Sequence, residues 1–114
     1  MQLTDEEHDE IWEMVIDVFS EYELYNLIEK AAKRLKNPKP QIKFFTAKSL
    51  ILTKSTIPQA LDIINKLIES DEDNFEYLYE KGKIYFIQGK YEEAEKFFIE
   101  ALKRGHQNKF KIYL

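Results

Sequence analysis

The sequence predicts an all-α protein, and three observations lead to this fold class. Glycine and proline number three each in 114 residues, while the helix-favouring Glu, Lys, Leu and Ile are abundant. Apolar residues recur at helical spacing, and turn-forming residues separate the apolar stretches. In YFIQGKYEEAEKFFIEAL, residues 85–102, Gly89 interrupts the pattern, after which Ala94, Phe98 and Ala101 share one helix face. This small-large-small stripe predicts a closely packed helical hairpin.

The N-terminal part, residues 1–40, predicts either two short helices or one long one. Thr4 and Glu7 have the spacing of a capping box, which marks a helix start. Ser20 and Glu23 repeat that spacing, so a turn is expected there. The apolar stripe of the first helix is predicted at Ile11, Met14, Val15 and Val18. NPKP, at 37–40, ends this part.

Four more helices are predicted in the remainder, which makes about six in all. Their expected bounds are 41–53, 58–69, 75–87 and 90–104. Pro58 suits a first helical turn, and Gly105 is predicted to end the last helix in the left-handed conformation. The sequence gives no convincing strand.

Composition argues against several classes of protein. No apolar run is long enough to span a bilayer, and the acidic N-terminus has the wrong sign for a secretory or mitochondrial leader. Cysteine is absent, so disulfide and thiolate chemistry are not expected. The expected location is cytoplasmic, with no membrane attachment.

Charge is segregated along the chain, although the net charge is only −4. Ten acids and no base lie between Asp5 and Glu29, whereas eight bases and no acid lie between Lys30 and Lys54. The first interpretation is that these helix faces attract each other within the fold. The alternative is a basic surface for an acidic partner such as nucleic acid, which is less favoured because neither an Arg cluster nor an aromatic-glycine pattern accompanies the lysines.

Two segments, 41–74 and 75–108, align without a gap at an offset of 34 residues. Ala60 aligns with Ala94, and the large apolar positions mostly agree. Segment 75–108 carries small and large residues at a regular set of positions, namely Gly82, Tyr85, Gly89, Tyr91, Ala94, Phe98, Ala101 and Leu102. This arrangement resembles the tetratricopeptide repeat family. Leu78 stands where that family usually has Trp, and Lys81 and His106 depart from its preferred types. Segment 41–74 resembles a degenerate copy, with Lys48 and Ser55 at the two glycine positions.

The resemblance implies a short right-handed superhelix of hairpins: a divergent N-terminal hairpin or helix at 1–40, two repeats, and a tail at 109–114. It also implies that the first helix of each repeat lines a concave groove. The groove positions are Ile42, Phe45, Ser49, Leu52 and Thr53, followed by Glu76, Tyr79, Lys83, Phe86 and Ile87. Phe45, Ser49 and Glu80 stand where some members hold a chaperone's C-terminal carboxylate, so that clamp is not expected.

The implied function is a non-catalytic module that binds a protein partner. We predict the partner-binding residues to be Phe45, Leu52, Tyr79, Lys83, Phe86 and Ile87. The groove could receive a partner's helix or peptide, a second copy of the chain, or the chain's own N-terminal helix or tail. A homodimer is predicted, because the array would otherwise end without a polar capping helix. The helix carrying Ile11 and Trp12 also looks like the N-terminal dimerising repeats of anaphase-promoting-complex scaffold subunits.

No catalytic, cofactor or metal site is predicted. His8 and His106 are the two histidines, and neither has a companion at metal-ligand spacing. Asp5, Asp9 and Glu13 near His8 are interpreted as a solvated acidic face. Gly82 and Gly89 are explained by packing rather than by a phosphate loop. An undetected enzyme is the remaining alternative, and a cleft with convergent polar residues would support it.

Overall fold

A computed structural model describes residues 2–106 of the chain. Six helices and no strand occur within these residues, which confirms the all-α prediction. Their bounds are α1 Asp5–Glu21, α2 Tyr25–Ala32, α3 Pro40–Leu52, α4 Ile57–Ser70, α5 Phe75–Ile87 and α6 Tyr91–His106. The chain divides into two compact units, Met1–Ala60 and Leu61–Leu114, and each is described by itself.

The first unit begins at the predicted capping box. The Thr4 hydroxyl accepts a hydrogen bond from the Glu7 backbone N–H, and the Glu7 carboxylate accepts one from the Thr4 N–H. Three acids in the first turn further stabilise the helix N-terminus.

α1 ends at a turn formed by the backbone, so the second predicted capping box, between Ser20 and Glu23, is wrong. Glu23 has a φ of 57°, and its N–H donates to the Ser20 carbonyl. The Leu24 N–H donates to the Phe19 carbonyl at 2.7 Å. These two bonds around a left-handed residue form a Schellman motif, which satisfies carbonyls at the helix end and reverses the chain into α2.

The core of the first unit lies among α1, α2 and α3. Its fully buried members are Ile16, Ile28, Ala31 and Leu35. Partly buried apolar residues pack against them, namely Trp12, Val15, Phe19, Tyr25, Ala32, Ile42 and Phe45. The predicted α1 stripe is therefore wrong at three of its four positions, because Ile11, Met14 and Val18 are exposed. α1 is apolar on two sides, and the side that carries Trp12, Ile16 and Phe19 is the one that is covered.

A second set of α1 side chains holds the link between α2 and α3. The Asp9 carboxylate is buried and accepts hydrogen bonds from the backbone N–H groups of Lys36, at 2.8 Å, and Asn37, at 2.9 Å. These bonds, the Lys36 N–H first, hold the pKa of Asp9 below its ordinary value. Ion pairs flank it, with Lys36 Nζ 3.0 Å from Asp5 and Lys39 Nζ 3.8 Å from Glu13. The oppositely charged segments thus attract each other within the fold at these positions, whereas the prediction of a solvated face is wrong for Asp9.

α3 and α5 end with the same turn, which shows that the ungapped alignment is wrong by one residue across α3. Lys54, with a φ of 53°, and Gly89, with a φ of 79°, are the left-handed residues. They are followed by matching bonds from Ser55 N–H to the Leu50 carbonyl and from Lys90 N–H to the Tyr85 carbonyl. Lys54 and Gly89 are 35 residues apart, whereas the buried Ala60 and Ala94 are 34 apart. The residue equivalent to Gly89 is therefore Lys54 and not Ser55.

In the second unit, α5 and α6 form the closest helix pair. Ala94 and Ala101 are buried, as the stripe predicts. A Cβ added at Gly82 would lie 2.6 Å from Cδ1 and Cε1 of Phe98, so the absent side chain is what lets that ring lie against α5. On another part of the hairpin, Tyr85 and Phe97 stack with ring centroids 5.3 Å apart.

One departure from the family pattern, at Lys81, and one wrong prediction, at Gly105, concern single residues of the second unit. The Lys81 Nζ lies 4.7 Å from the centre of the Phe97 ring, and the partial burial of the lysine lowers its pKa. Its methylene stem therefore takes the place of the expected apolar side chain. Gly105 lies inside α6, which runs to His106, so the prediction of a left-handed stop is wrong. A Cβ added at Gly105 would lie 3.5 Å from the Phe75 ring, which is an ordinary van der Waals distance.

Gly82→Ala tests the contact with Phe98. Alanine favours a helix over glycine by about 1 kcal/mol, but the clash with the ring outweighs this, and we expect a net loss of about 1–2 kcal/mol in unfolding free energy. Urea denaturation followed by circular dichroism measures it. In a Phe98→Leu background the same substitution removes no ring contact, so its cost falls. Equal costs in the two backgrounds contradict the contact.

Gly89→Ala and Gly105→Ala form a matched pair for the left-handed turn. An added Cβ at Gly89 meets no atom within 4 Å, so any cost is conformational, and we expect a loss of about 1 kcal/mol in unfolding free energy. Gly105→Ala, in a helix, is expected to raise the unfolding free energy by up to about 1 kcal/mol. At the equivalent turn after α3, Lys54→Gly is expected to raise the unfolding free energy by about 0.5 kcal/mol. Glycine relieves the strain of the left-handed conformation, but it also has more freedom in the unfolded chain. If the two alanine variants change stability equally, the assigned turn is wrong.

Asp9→Asn tests the carboxylate at the α2–α3 link. The amide keeps one acceptor oxygen, so one of the two backbone bonds is lost and the thermal midpoint falls at neutral pH. Because the folded pKa of Asp9 is lowered, its stabilisation is complete above the unfolded pKa, about 3.9, and disappears as pH falls through the folded pKa. The difference in thermal midpoint between wild type and Asp9→Asn therefore becomes smaller below about pH 4. Glu10→Gln, an exposed acid on the same helix, is the control and leaves the midpoint unchanged.

Candidate functional site

A contiguous apolar surface on α5 and α6 is the strongest candidate site among the described residues. A shallow depression of about 330 Å³ lies on it. Its lining is apolar apart from one carboxylate and consists of Phe86, Tyr91, Ala94, Glu95, Phe98, Ile99 and Leu102. We call this lining, together with Tyr79, the α5–α6 surface.

Ring contacts join the members of this surface. Phe86 meets Tyr91 edge to face, with centroids 5.2 Å apart, across the turn at Gly89. Tyr79 meets Phe98 with centroids 5.7 Å apart. Because Phe98 contacts both Tyr79 and the depression, these contacts make one surface of neighbouring apolar groups rather than scattered side chains.

The exposure of these residues is large for apolar groups. Phe86 is 56% exposed, Leu102 59% and Tyr91 62%. Single exposed apolar residues are common on soluble proteins, whereas a contiguous group is a candidate for an interaction site. The residues of the α5–α6 surface form such a group.

Charges lie at the edge of the surface. Lys83 Nζ lies 5.3 Å from the centre of the Tyr79 ring and 3.2 Å from a carboxylate oxygen of Glu80. Glu95 is exposed in the lining of the depression. An apolar centre with charges at its margin is the usual anatomy of a protein-binding surface.

The predicted partner-binding residues fall in both units. Tyr79, Lys83, Phe86 and Ile87 all lie on α5, with Ile87 39% exposed. On α3, Leu52 is 57% exposed, while Phe45 packs against the core of the first unit. Whether the α3 and α5 residues share one wall stays a prediction.

One groove position given by the resemblance is wrong. Ser49 is buried, and its hydroxyl donates to the Phe45 carbonyl, so it has no role at a surface. The one-residue shift across α3 accounts for this, because it moves every α3 residue relative to its expected counterpart on α5.

Sequence reasoning missed three members of the α5–α6 surface. Tyr91, Ile99 and Leu102 are exposed on α6 and were not among the predicted partner-binding residues. A helical-wheel comparison could have found them, because they lie beside Ala94 and Phe98 along one flank of α6.

The described residues offer little for catalysis or metal binding. No group of three or more His, Cys, Asp or Glu side chains could hold a metal ion within residues 2–106. The described helices are also too short or too polar to cross a membrane. Glu80 is a buried carboxylate, but its charge partner is Lys83 on the same helix.

The predicted basic segment is partly neutralised within the first unit. Lys33 pairs with Glu29, Lys36 with Asp5 and Lys39 with Glu13. The Arg34 guanidinium lies 5.4 Å from the centre of the Trp12 ring. Three of the eight bases at 30–54 are therefore paired with carboxylates, which reduces their value as a site for an anion.

One comparison with known proteins gives a match, and it falls on the hairpin of α5 and α6. Residues 75–108 match the tetratricopeptide repeat family. Neither a curated protein nor a solved structure matches the chain significantly. Repeats of this family generally mediate protein–protein interaction and are typically non-catalytic. The assignment of residues 41–74 as a degenerate repeat stays a prediction. The hairpin of α5 and α6, with Gly82 against Phe98 and Gly89 at its turn, lies within the segment that is similar to the repeat of this family.

Proposed function

We propose that this chain is a non-catalytic interaction module that binds an apolar helix or extended peptide of a partner protein on the α5–α6 surface. The observation that carries the proposal is the depression bordered by Phe86, Tyr91 and Leu102, each more than half exposed. The exposed part of these side chains gains nothing from folding, whereas a partner that covers it gains the transfer free energy of that apolar area.

The residue types support a binding role. Aromatic side chains are enriched among the residues that dominate binding energy, because they bury a large area with few rotatable bonds. Phe86 and Tyr91 already fix each other through their edge-to-face contact, so less side-chain entropy is lost when a partner binds.

The predicted groove extends this surface in the proposal. Tyr79, Lys83 and Ile87 continue along α5 beside Phe86. The two predicted α3 residues lie in the first unit, where Leu52 is 57% exposed and Phe45 packs against the buried core of that unit.

A second copy of the chain is the alternative occupant, as the predicted homodimer requires. The tail that would join that interface, residues 109–114, lies outside the described residues. The nucleic-acid alternative is less supported, because Lys33, Lys36 and Lys39 pair with carboxylates of the first unit.

The double variant Phe86→Ser/Leu102→Ser tests the surface. A random peptide library displayed on phage is selected against the wild-type chain, and a selected peptide is labelled for fluorescence anisotropy. We expect the variant to weaken binding by at least about tenfold, because it removes two large apolar contacts. Both side chains are exposed, so the circular dichroism spectrum and thermal midpoint stay close to wild type.

Leu3→Ser is the matched control, since Leu3 is 45% exposed and lies before α1. It leaves the affinity unchanged. A selected peptide that binds the double variant as tightly as wild type contradicts the proposed surface. Sedimentation of the chain alone, at micromolar concentration, separates the occupants: a dimer that the double variant dissociates assigns the surface to a second copy.

A further inference from the structure

α1 carries an exposed apolar stripe on the side away from the core of the first unit. Ile11 is 44% exposed, Met14 63%, Val18 49% and Tyr22, at the helix end, 69%. Their spacing of three or four residues places them along one helix face, which we call the outer stripe. From Ile11 to Tyr22 the stripe rises about 16 Å, which is three turns of helix.

Three exposed acids follow the outer stripe along one edge. Glu10, Asp17 and Glu21 each lie three or four residues from Met14 or Val18. None of the three forms an ion pair with any residue in the described range 2–106. The edge is therefore an apolar face with uncompensated negative charge beside it.

Three other acids of α1 provide the comparison. Asp5, Asp9 and Glu13 are all engaged by the 36–39 link, through ion pairs and the two backbone bonds to Asp9. The same helix thus has three acids that the fold pairs and three beside the outer stripe that it leaves unpaired.

We propose that the outer stripe docks a basic amphipathic helix of a partner protein. A helix with apolar residues at the same spacing packs along the stripe, and Lys or Arg at its margin faces Glu10, Asp17 and Glu21. Charge selects this occupant over the others: α1 of a second copy brings like charges together, and nucleic acid and anionic lipid are both repelled.

This inference does not rest on the proposed function. The outer stripe lies in the first unit and the α5–α6 surface in the second, and they share no residue. Their chemistries also differ, because Glu95 is the single acid in the lining of the depression.

The probe is a labelled amphipathic peptide of about 18 residues, with Leu at helical spacing and Lys elsewhere, and binding is measured by anisotropy. A scrambled peptide of the same composition, and a peptide with Glu in place of Lys, are the comparisons. We expect the amphipathic Leu/Lys peptide to bind and the two comparison peptides not to bind. The affinity of the Leu/Lys peptide falls as the salt concentration rises from about 50 to 300 mM.

Two variants divide the apolar and charged contributions. Met14→Ser/Val18→Ser weakens binding by about tenfold or more, since two central contacts are lost. Glu10→Gln/Asp17→Asn/Glu21→Gln weakens it less and reduces its salt dependence. Leu3→Ser/Leu24→Ser, an exposed apolar pair outside both surfaces, is the matched control and leaves binding unchanged.

Four results would overturn the inference. These are equal binding of the scrambled peptide, equal binding by Met14→Ser/Val18→Ser, loss of binding in the Leu3→Ser/Leu24→Ser control, and self-association of the chain that Met14→Ser/Val18→Ser abolishes. The last would make a second copy the occupant. Circular dichroism and thermal midpoints for every variant ensure that a change in affinity is not a change in folding.

Discussion

Three helices, α1, α3 and α5, end at a left-handed residue, and the direction of the helix that follows depends on these turns. Glu23, Lys54 and Gly89 each follow a helix end and carry the two backbone bonds of a Schellman motif. The motif satisfies carbonyls that would otherwise lack partners, and it fixes the direction in which the next helix starts. The placement of Phe86 beside Tyr91 follows directly, because the turn at Gly89 lies between them.

This constraint also explains which turns the sequence could predict. At Gly89 the residue type and the conformation agree, so the hairpin of α5 and α6 is correct from the sequence. At Glu23 and Lys54 an ordinary residue adopts the left-handed conformation at a cost of about 1 kcal/mol, which the surrounding packing offsets. Nothing in the residue type marks such a position, and the alignment across α3 is one residue off as a result. Local signals that involve a few neighbouring residues, such as the Thr4–Glu7 capping box, are confirmed.

The burial of α1 depends on information that lies elsewhere in the chain. Both sides of α1 are apolar, and periodicity alone favoured Ile11, Met14 and Val18. The choice between sides is made by α2 and α3, which cover Trp12, Ile16 and Phe19, and by the 36–39 link, whose backbone N–H groups need the Asp9 carboxylate. The backbone N–H groups of Lys36 and Asn37 need acceptors, and the acceptor lies 27 or 28 residues earlier in the chain. The sequence alone does not reveal which of the α1 acids accepts these hydrogen bonds. Four of the predicted partner-binding residues, Tyr79, Lys83, Phe86 and Ile87, lie on the single helix α5. On α3 the alignment is wrong by one residue, and for that reason the predicted groove residue Ser49 is buried.

Exposure of apolar groups separates what folding requires from what it does not. Gly82, Ala94 and Phe98 are set by the contact between α5 and α6, and changing any one of them disturbs that pair. Phe86, Leu102 and Met14 make no comparable demand, because each is more than half exposed and a polar residue would serve the fold as well. Their occurrence in contiguous groups, one with mixed charge at its margin and one with only acids, is therefore evidence about partners rather than about stability. If both surfaces bind partners, their difference in charge favours different ones. The α5–α6 hairpin and α1 therefore need not bind the same protein.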